Sequence, residues 1–374
     1  MPLGFPPGRA DSLGGAKHIA VSLLACTMLS PGCSSGATAT GPLVSERAGN
    51  AARVETIARN ADASYLYVAD HANPSNAQVD VLLRKDLAKG IIREVSKRIE
   101  YPAGIFVDVS DNLYVANAVE SSGHDTVTVY KAGSNQPFRT YRGIGCAADV
   151  LAGSDGTVYI ADLCGGNVRK TMRAGGDRCI ENGEVHVYAA GGTKQIRALH
   201  FKGGPSSLTL DDKNNLYVGY ENACASAGQV RRYAPGAVKG VDLLPHDAVP
   251  FIGGIALDSG GQLLVVSTLR SVIDVFSAEH QPPSRVISTG QTFPGRIVFD
   301  KLQNLLYVTS PYLPDSHAEA SPQRITPMGV KRPNTLVVID YQSGKLLYTL
   351  KKLVSGWAPA GVAVFPPAPF APQF

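Results

Sequence analysis

The chain has 374 residues, 44% hydrophobic and 18% charged, so it can bury a large core in one or two domains. Its 39 glycines and 25 prolines are too few for a collagen-like or disordered chain and suit a turn-rich β protein. The formal net charge of +4 comes from scattered lysines and arginines, without the basic stripe that a nucleic-acid groove needs. We therefore expect no nucleic-acid partner.

The N-terminus has the pattern of a targeting segment. Arg9 and Lys17 precede the apolar run IAVSLLACTML, which is too short to span a bilayer. The segment ending at Cys33 resembles a bacterial lipoprotein box, which would leave a lipidated Cys33 at the mature N-terminus. Alternatively, the A-T-A at 37–39 would be cleaved after residue 39 and release the chain. We expect a signal peptide at 1–33, a flexible tether at 34–61, and an extracytoplasmic protein that contacts membranes only through a lipid anchor.

Residues 62–374 repeat one short pattern. Strings such as YLYVAD, NLYVAN, TVYIAD and NLYVGY recur, and their anchor positions differ by 47, 45, 58, 47 and 43 residues. The anchors are Tyr67, Tyr114, Tyr159, Tyr217, Leu264 and Tyr307. Each unit holds about four short alternating segments separated by Asp, Asn, Gly and Ser turns, which is the strand count of a propeller blade. The sequence therefore predicts an all-β, six-bladed β-propeller of four-stranded antiparallel blades.

The two ends of this repeat array complement each other. The first unit begins at YLYVAD without a preceding strand, and Pro359-Ala-Gly361 near the C-terminus matches Pro102-Ala-Gly104 of the second unit. We predict that the C-terminal segment supplies the innermost strand of the first blade and that Trp357 packs this seam. We also expect the turn aspartates to cap their hairpins by bonding to backbone: Asp108, Asp211 and Asp258.

The stretches PAGIFVDVSDNLYVAN, GGIALDSGGQLLVVS and YVTS resemble the NHL-repeat, YVTN-type and SMP-30-like β-propeller families, over about residues 62–368. These families include binding scaffolds, lactonases and lyases, so the resemblance implies a fold rather than one activity. In the SMP-30-like enzymes, Glu, Asp and Asn side chains hold a divalent cation in a funnel at the channel mouth. The resemblance implies that Ca²⁺ or Zn²⁺ could bind at Asp70, Asn117 and Asp162, three members of a ring of polar residues that end the second strands. In metal-free repeats the same position bonds to backbone.

In such blades the start of the first strand and the end of the second strand share a face. The connections after the second strands are long here, above all at 163–184 and 310–334, whereas the opposite face carries the tight turns. We call these the long-loop face and the tight-turn face. Because binding residues concentrate on variable loops over a rigid scaffold, we expect a protein, peptide or glycan ligand on the long-loop face of a monomer.

Two of the six cysteines belong to the leader, and the other four fall on the long-loop face: Cys146, Cys164, Cys179 and Cys224. Outside the cytoplasm we expect them to form disulfides. If the intervening turn centres near Asp155, Cys146 and Cys164 lie opposite each other, which leaves Cys179 and Cys224 as a second pair. A Cys164–Cys179 bridge remains open. Their spacings of 18, 15 and 45 residues contain no C-x-x-C zinc knuckle.

The histidines show no metal or triad spacing. His186 alternates outward in VHVY and is expected at the surface, and His124, in the loop after Asn117, is the one candidate for a general base. Three functions follow from these observations. The favoured one is a non-enzymatic binding or scaffold protein at the bacterial cell envelope. The alternatives are a metal-dependent hydrolase or lactonase resembling the SMP-30-like enzymes and a propeller lyase using His124.

Overall fold

The computed structural model describes residues 64–71, 77–118, 125–165, 182–222, 227–245, 248–310, 334–351, 353 and 357–374. The leader and tether lie outside these residues, and so do Cys33, His124, Cys179 and Cys224. The predictions made for them therefore stay predictions. Within the described residues, no helix has the length and apolar character needed to cross a bilayer.

Six antiparallel sheets of four strands form the six blades predicted from the repeat. From the innermost strand outward, blade 1 contains β25 (Pro359–Phe365), β1 (Tyr65–Asp70), β2 (Gln78–Leu83) and β3 (Ile91–Val95), and blade 2 contains β4 (Pro102–Val107), β5 (Leu113–Asn117), β6 (Asp125–Tyr130) and β7 (Pro137–Ile144). Blade 3 contains β8 (Ala147–Ala152), β9 (Val158–Asp162), β10 (Glu184–Tyr188) and β11 (Gln195–His200).

Blade 4 contains β12 (Gly203–Leu210), β13 (Leu216–Asn222), β14 (Ala227–Tyr233) and β15 (Val241–Asp242), with β16 (Val249–Pro250) also paired to β14. Blade 5 contains β17 (Ile252–Leu257), β18 (Leu263–Ser267), β19 (Val272–Phe276) and β20 (Arg285–Ser288), and blade 6 contains β21 (Ile297–Phe299), β22 (Leu305–Ser310), β23 (Thr335–Asp340) and β24 (Lys345–Lys351). A 3-10 helix at Arg84–Lys89 links β2 to β3. The first strands of successive blades contact one another around a closed ring.

The predicted closure of the ring is confirmed. Strand β25 pairs antiparallel with β1, and Phe365 lies opposite Tyr65. Trp357, just before β25, is 1% exposed and its indole N–H donates to Asp80 Oδ2 at 3.0 Å. Burial raises the pKa of the Asp80 carboxyl to about 7. The single tryptophan therefore packs the seam between the last blade and the first, within an apolar cluster drawn from both.

The recurring LYV pattern marks the second strand of each blade. The six anchors Tyr67, Tyr114, Tyr159, Tyr217, Leu264 and Tyr307 are all at most 6% exposed. The turns before these strands are also as predicted: Asp108 Oδ1 accepts the N–H groups of Ser110 and Asn112, each at 2.9 Å. Asp211 and Asp258 make the same pair of bonds in their own turns. Side-chain bonds to nearby backbone therefore cap these three hairpins locally.

The repeated Pro-Ala-Gly motif has a steric cause. A Cβ atom on Gly104 would lie 2.7 Å from the Ala148 carbonyl oxygen in the next blade, and one on Gly361 would collide with the carbonyl oxygen of Ala103. The neighbouring first strand thus approaches Gly104 and Gly361 so closely that neither position can carry a side chain.

Two long-range features are not visible in the local sequence pattern. Arg84, fully buried after β2, forms an ion pair with Asp300 of blade 6 at 2.9 Å and donates to Tyr307 Oη at 3.1 Å. After β25, residues 366–374 cross the tight-turn end of the channel and reach blade 4. There the Ala371 carbonyl accepts the Asp212 N–H at 2.7 Å, and the Phe374 carbonyl accepts from Arg232 at 2.9 Å.

Replacing Arg84 with methionine should lower the free energy of unfolding by about 3–5 kcal/mol, because it leaves the Asp300 carboxylate buried without its counter-ion. The neighbouring exposed Lys85 is the matched control, and Lys85→Met should change that free energy by less than about 0.5 kcal/mol. Urea unfolding of both variants measures the difference. If both substitutions lowered the free energy of unfolding equally, the Arg84–Asp300 ion pair would not be a major source of stability.

Candidate functional site

The three predicted metal ligands end the second strands of blades 1, 2 and 3, and each bonds to backbone. Asp70 Oδ1 accepts the Ala358 N–H at 2.7 Å, and Asn117 Oδ1 accepts the Glu100 N–H at 3.2 Å. In both blades the donor lies in the segment that leads into the first strand. These polar side chains therefore hold the connection between blades at the long-loop face.

Asp162 has the largest set of donors among the three. Its Oδ2 accepts the Gly145 N–H at 2.8 Å, and its Oδ1 accepts the N–H groups of Cys146 at 2.8 Å, Cys164 at 3.1 Å and Gly165 at 3.0 Å. A divalent cation would have to displace such bonds at each of the three ligands. Within the described ranges, no cluster of three His, Cys, Asp or Glu residues is able to hold a metal ion. The metal role of Asp70, Asn117 and Asp162 stays a prediction, and this donor arrangement does not fit it.

A disulfide joins Cys146 to Cys164, with the two Cα atoms 5.3 Å apart. This is the pair predicted from the hairpin register, and it excludes the Cys164–Cys179 alternative. The bridge closes the loop whose backbone N–H groups converge on Asp162, so covalent and hydrogen-bonded constraints meet at the same edge of blade 3. Disulfides are typical of proteins in oxidising compartments outside the cytoplasm.

The surface position predicted for His186 is wrong, because its side chain is buried. Its Nε2 lies 3.1 Å from Asp162 Oδ2, and its Nδ1 lies 3.0 Å from Gln195 Oε1. Burial alone would lower the pKa of His186, but the hydrogen bond and charge of Asp162 outweigh it and raise that pKa. Burial alone would likewise raise the pKa of Asp162, but bonds from His186 and from the backbone at Gly145 lower it. The two groups thus form an ion pair beside the disulfide whenever His186 is protonated.

Three aromatic residues occupy an unusual backbone conformation on the long-loop face, just before first strands. Tyr101, Phe251 and Phe293 have φ of 45°, 56° and 58°, in the left-handed region that bulky side chains rarely adopt. Hydrogen bonds fix two of them: the Tyr101 carbonyl accepts the Ala118 N–H, and the Phe251 carbonyl accepts the Thr268 N–H. Phe251 is 43% exposed. Sequence reasoning missed these residues because no local motif signals a left-handed aromatic.

Arg296, just before β21, crosses the central channel near its long-loop end. Its guanidinium donates to the Ala148 carbonyl in blade 3 at 2.8 Å and to the Gly253 carbonyl in blade 5 at 3.2 Å, and it lies 3.6 Å from Asp149 Oδ2. The funnel that the SMP-30-like resemblance implies is therefore spanned by an arginine.

Glu221, the glutamate nearest the polar ring in sequence, has its pKa raised to about 8 by burial.

Comparison with known proteins supports the fold and nothing finer. No protein-family model matches the sequence, and no curated protein matches it significantly. A chain from the crystal structure of a nidogen/laminin complex is 14% identical with a TM-score of 0.55, covering 80% of this chain and 98% of that one. A protein of unknown function from Bacteroides caccae is 15% identical with a TM-score of 0.54, covering 81% and 99%. Because 1004 chains of solved structures match, the fold alone carries no function.

The charged pair predicts a pH-dependent stability. The raised pKa of His186 means that its contribution is complete below its ordinary pKa of about 6.5 and is lost as pH rises through the folded value. The lowered pKa of Asp162 means that its contribution is present above about pH 4 and is lost as pH falls through the folded value. The stability difference between wild type and His186→Gln should therefore be largest near pH 5 and shrink towards pH 8.

Urea unfolding at several pH values measures this difference. His200, on the neighbouring strand with its side chain 75% exposed, is the control. The stability difference between wild type and His200→Gln should change little with pH. A pH-independent loss in His186→Gln would mean that folding does not shift the pKa of this imidazole, and it would contradict the pairing with Asp162 as the cause of a raised pKa.

The disulfide should add about 2–4 kcal/mol to the free energy of unfolding, because it closes a loop across 18 residues. The variant Cys146→Ser/Cys164→Ser should show this loss under oxidising conditions. With dithiothreitol present in both samples, wild type and the variant should be equally stable, because any other disulfide is then reduced in both. If the oxidised variant were as stable as oxidised wild type, the Cys146–Cys164 bridge would not stabilise the fold.

Proposed function

We propose that this protein is a non-enzymatic binding or scaffold propeller at the bacterial cell envelope, and that its ligand contacts the long-loop face. The observation that carries the proposal is the set of left-handed aromatic residues on that face: Tyr101, Phe251 and Phe293. An L-residue in this conformation costs about 1–2 kcal/mol. Such strain concentrates at ligand clamps and active sites, and exposed aromatics supply much of the energy at binding interfaces.

The compartment is supported by covalent chemistry. The Cys146–Cys164 bridge suits an oxidising environment, and the leader-like segment ending at Cys33 suggests the same destination. The fold also serves protein association elsewhere, because one chain with a similar fold comes from a nidogen/laminin complex. Protein, peptide and glycan ligands all suit a rigid face with long loops.

The binding role is favoured over metal-dependent hydrolysis by the state of the polar ring. A hydrolase of that kind needs carboxylates free to hold a cation and an open funnel for its substrate. Here Asp70 and Asp162 accept backbone N–H groups, and Arg296 spans the channel. These side chains already make structural bonds, so we assign the contacts with the ligand to the loops and to the exposed ring of Phe251.

Replacing Phe251 with glycine should separate binding from stability. Glycine relieves the left-handed strain, which offsets the lost contacts, so the free energy of unfolding should stay within about 1 kcal/mol of wild type. Ligand capture should nevertheless fall, because the exposed ring is gone. Phe138, 44% exposed on β7 near the tight-turn face, is the matched control, and Phe138→Ser should leave capture unchanged.

A photo-crosslinking amino acid placed at position 101, also on the long-loop face, provides the capture assay in intact bacterial envelopes. We expect a discrete product that is lost in Phe251→Gly and kept in Phe138→Ser. A product that persists in Phe251→Gly, or that both substitutions reduce alike, would contradict a specific long-loop site. Ester or lactone hydrolysis that depends on added Ca²⁺ or Zn²⁺ and is lost in Asp70→Ala/Asp162→Ala would replace the proposal with the enzymatic alternative.

A further inference from the structure

The central channel contains a cavity of about 140 Å³ that the proposed binding face does not use. The first strands of all six blades line it, and one residue from each is Ala363, Phe106, Leu151, Thr209, Ala256 and Val298. Residues 367–371 of the C-terminal tail line it as well, and Arg296 is also part of its wall. Most of this wall is aliphatic or aromatic.

One buried side-chain acceptor in the wall has no hydrogen-bond partner in the part of the chain that the structure describes. Gln303, in the turn between β21 and β22, lines the cavity and is 6% exposed, and its Oε1 is buried with no partner among the described residues. A buried acceptor left unpaired costs about 1–3 kcal/mol. The carboxamide therefore calls for a donor from outside the protein.

The position of Gln303 is unusual within the repeat. In blades 2 to 6, a turn joins the first strand to the second, and its fourth residue has φ between 55° and 80°. In blade 6 this residue is Gln303, and in blades 2 to 5 it is Asp111, Gly156, Asn214 and Gly261. These residues are short and suit a left-handed turn. Of these five residues, only Gln303 of blade 6 has a longer side chain, and this side chain extends from the turn to the channel wall. Turn geometry alone does not require it, since asparagine or glycine would serve.

We propose that this cavity binds a small, neutral, largely apolar molecule that donates one hydrogen bond to Gln303 Oε1. Size supports this class, because an apolar cavity of about 150 Å³ in another protein takes up benzene. Charge supports it too, because the one cation and the one carboxylate in the wall, Arg296 and Asp149, already lie 3.6 Å apart and neutralise each other, and the rest of the wall would not replace the hydration of an ion. The site lies towards the tight-turn face and is independent of the proposed function.

Phenol and toluene are matched probes, because they share a shape and differ in one hydroxyl donor. Calorimetry on the purified full-length protein should show saturable binding of both, with phenol tighter. In Gln303→Met, which keeps the side-chain length but removes the acceptor, phenol should weaken by about 3- to 10-fold while toluene changes by less than about twofold. In Ala363→Leu, which fills the cavity, both probes should lose binding.

Several outcomes would overturn the proposal. No saturable binding of either probe to wild type would do so, and so would binding that persists in a folded Ala363→Leu variant. If that variant does not fold, Gln303→Met still decides: equal phenol affinity in wild type and Gln303→Met removes the assigned contact. Tighter folding of Gln303→Met together with no phenol binding to wild type would mean that the carboxamide holds only water.

Discussion

The architecture depends on one strand pairing, that of β25 with β1. Without it, blade 1 would lack its innermost strand and the ring would remain open between blades 6 and 1. With it, the first strands meet around a narrow channel, which explains the glycine of each Pro-Ala-Gly motif and the burial of Trp357 against Asp80. The Arg84–Asp300 ion pair lies in the same seam, so the place where the ring closes also carries a fully buried ion pair between blades.

Local chemistry determined what could be predicted from the sequence. The second strands and their capped turns follow from alternation and from aspartates that bond to nearby backbone, and hairpin register was enough to pair Cys146 with Cys164. His186 shows the limit of alternation, which identifies the face of a strand but not what covers it. Arg84 and Arg296 find partners more than 140 residues away, and no local pattern encodes those contacts.

The polar ring shows why a site is harder to predict than a fold. A carboxylate at the end of a second strand satisfies the sequence pattern equally well as a metal ligand or as an acceptor for the neighbouring connection. The difference lies in where backbone N–H groups point, and in Asp162 they point at the carboxylate from both sides of the disulfide. The scaffold thus uses these polar positions to hold the connections between blades, and the binding that we propose is assigned to residues that differ from blade to blade, such as Phe251 and Gln303.

The closure of the ring also fixes an order of events during biosynthesis. Blade 1 starts at Tyr65, yet its innermost strand ends at Phe365, after every strand of the other five blades. A ribosome or a translocation pore delivers the chain from the N-terminus, so the first blade must wait as three strands with an open edge until the last one emerges. For the exported protein that we propose, this delay would prevent the chain from reaching its final form before it had passed through the membrane.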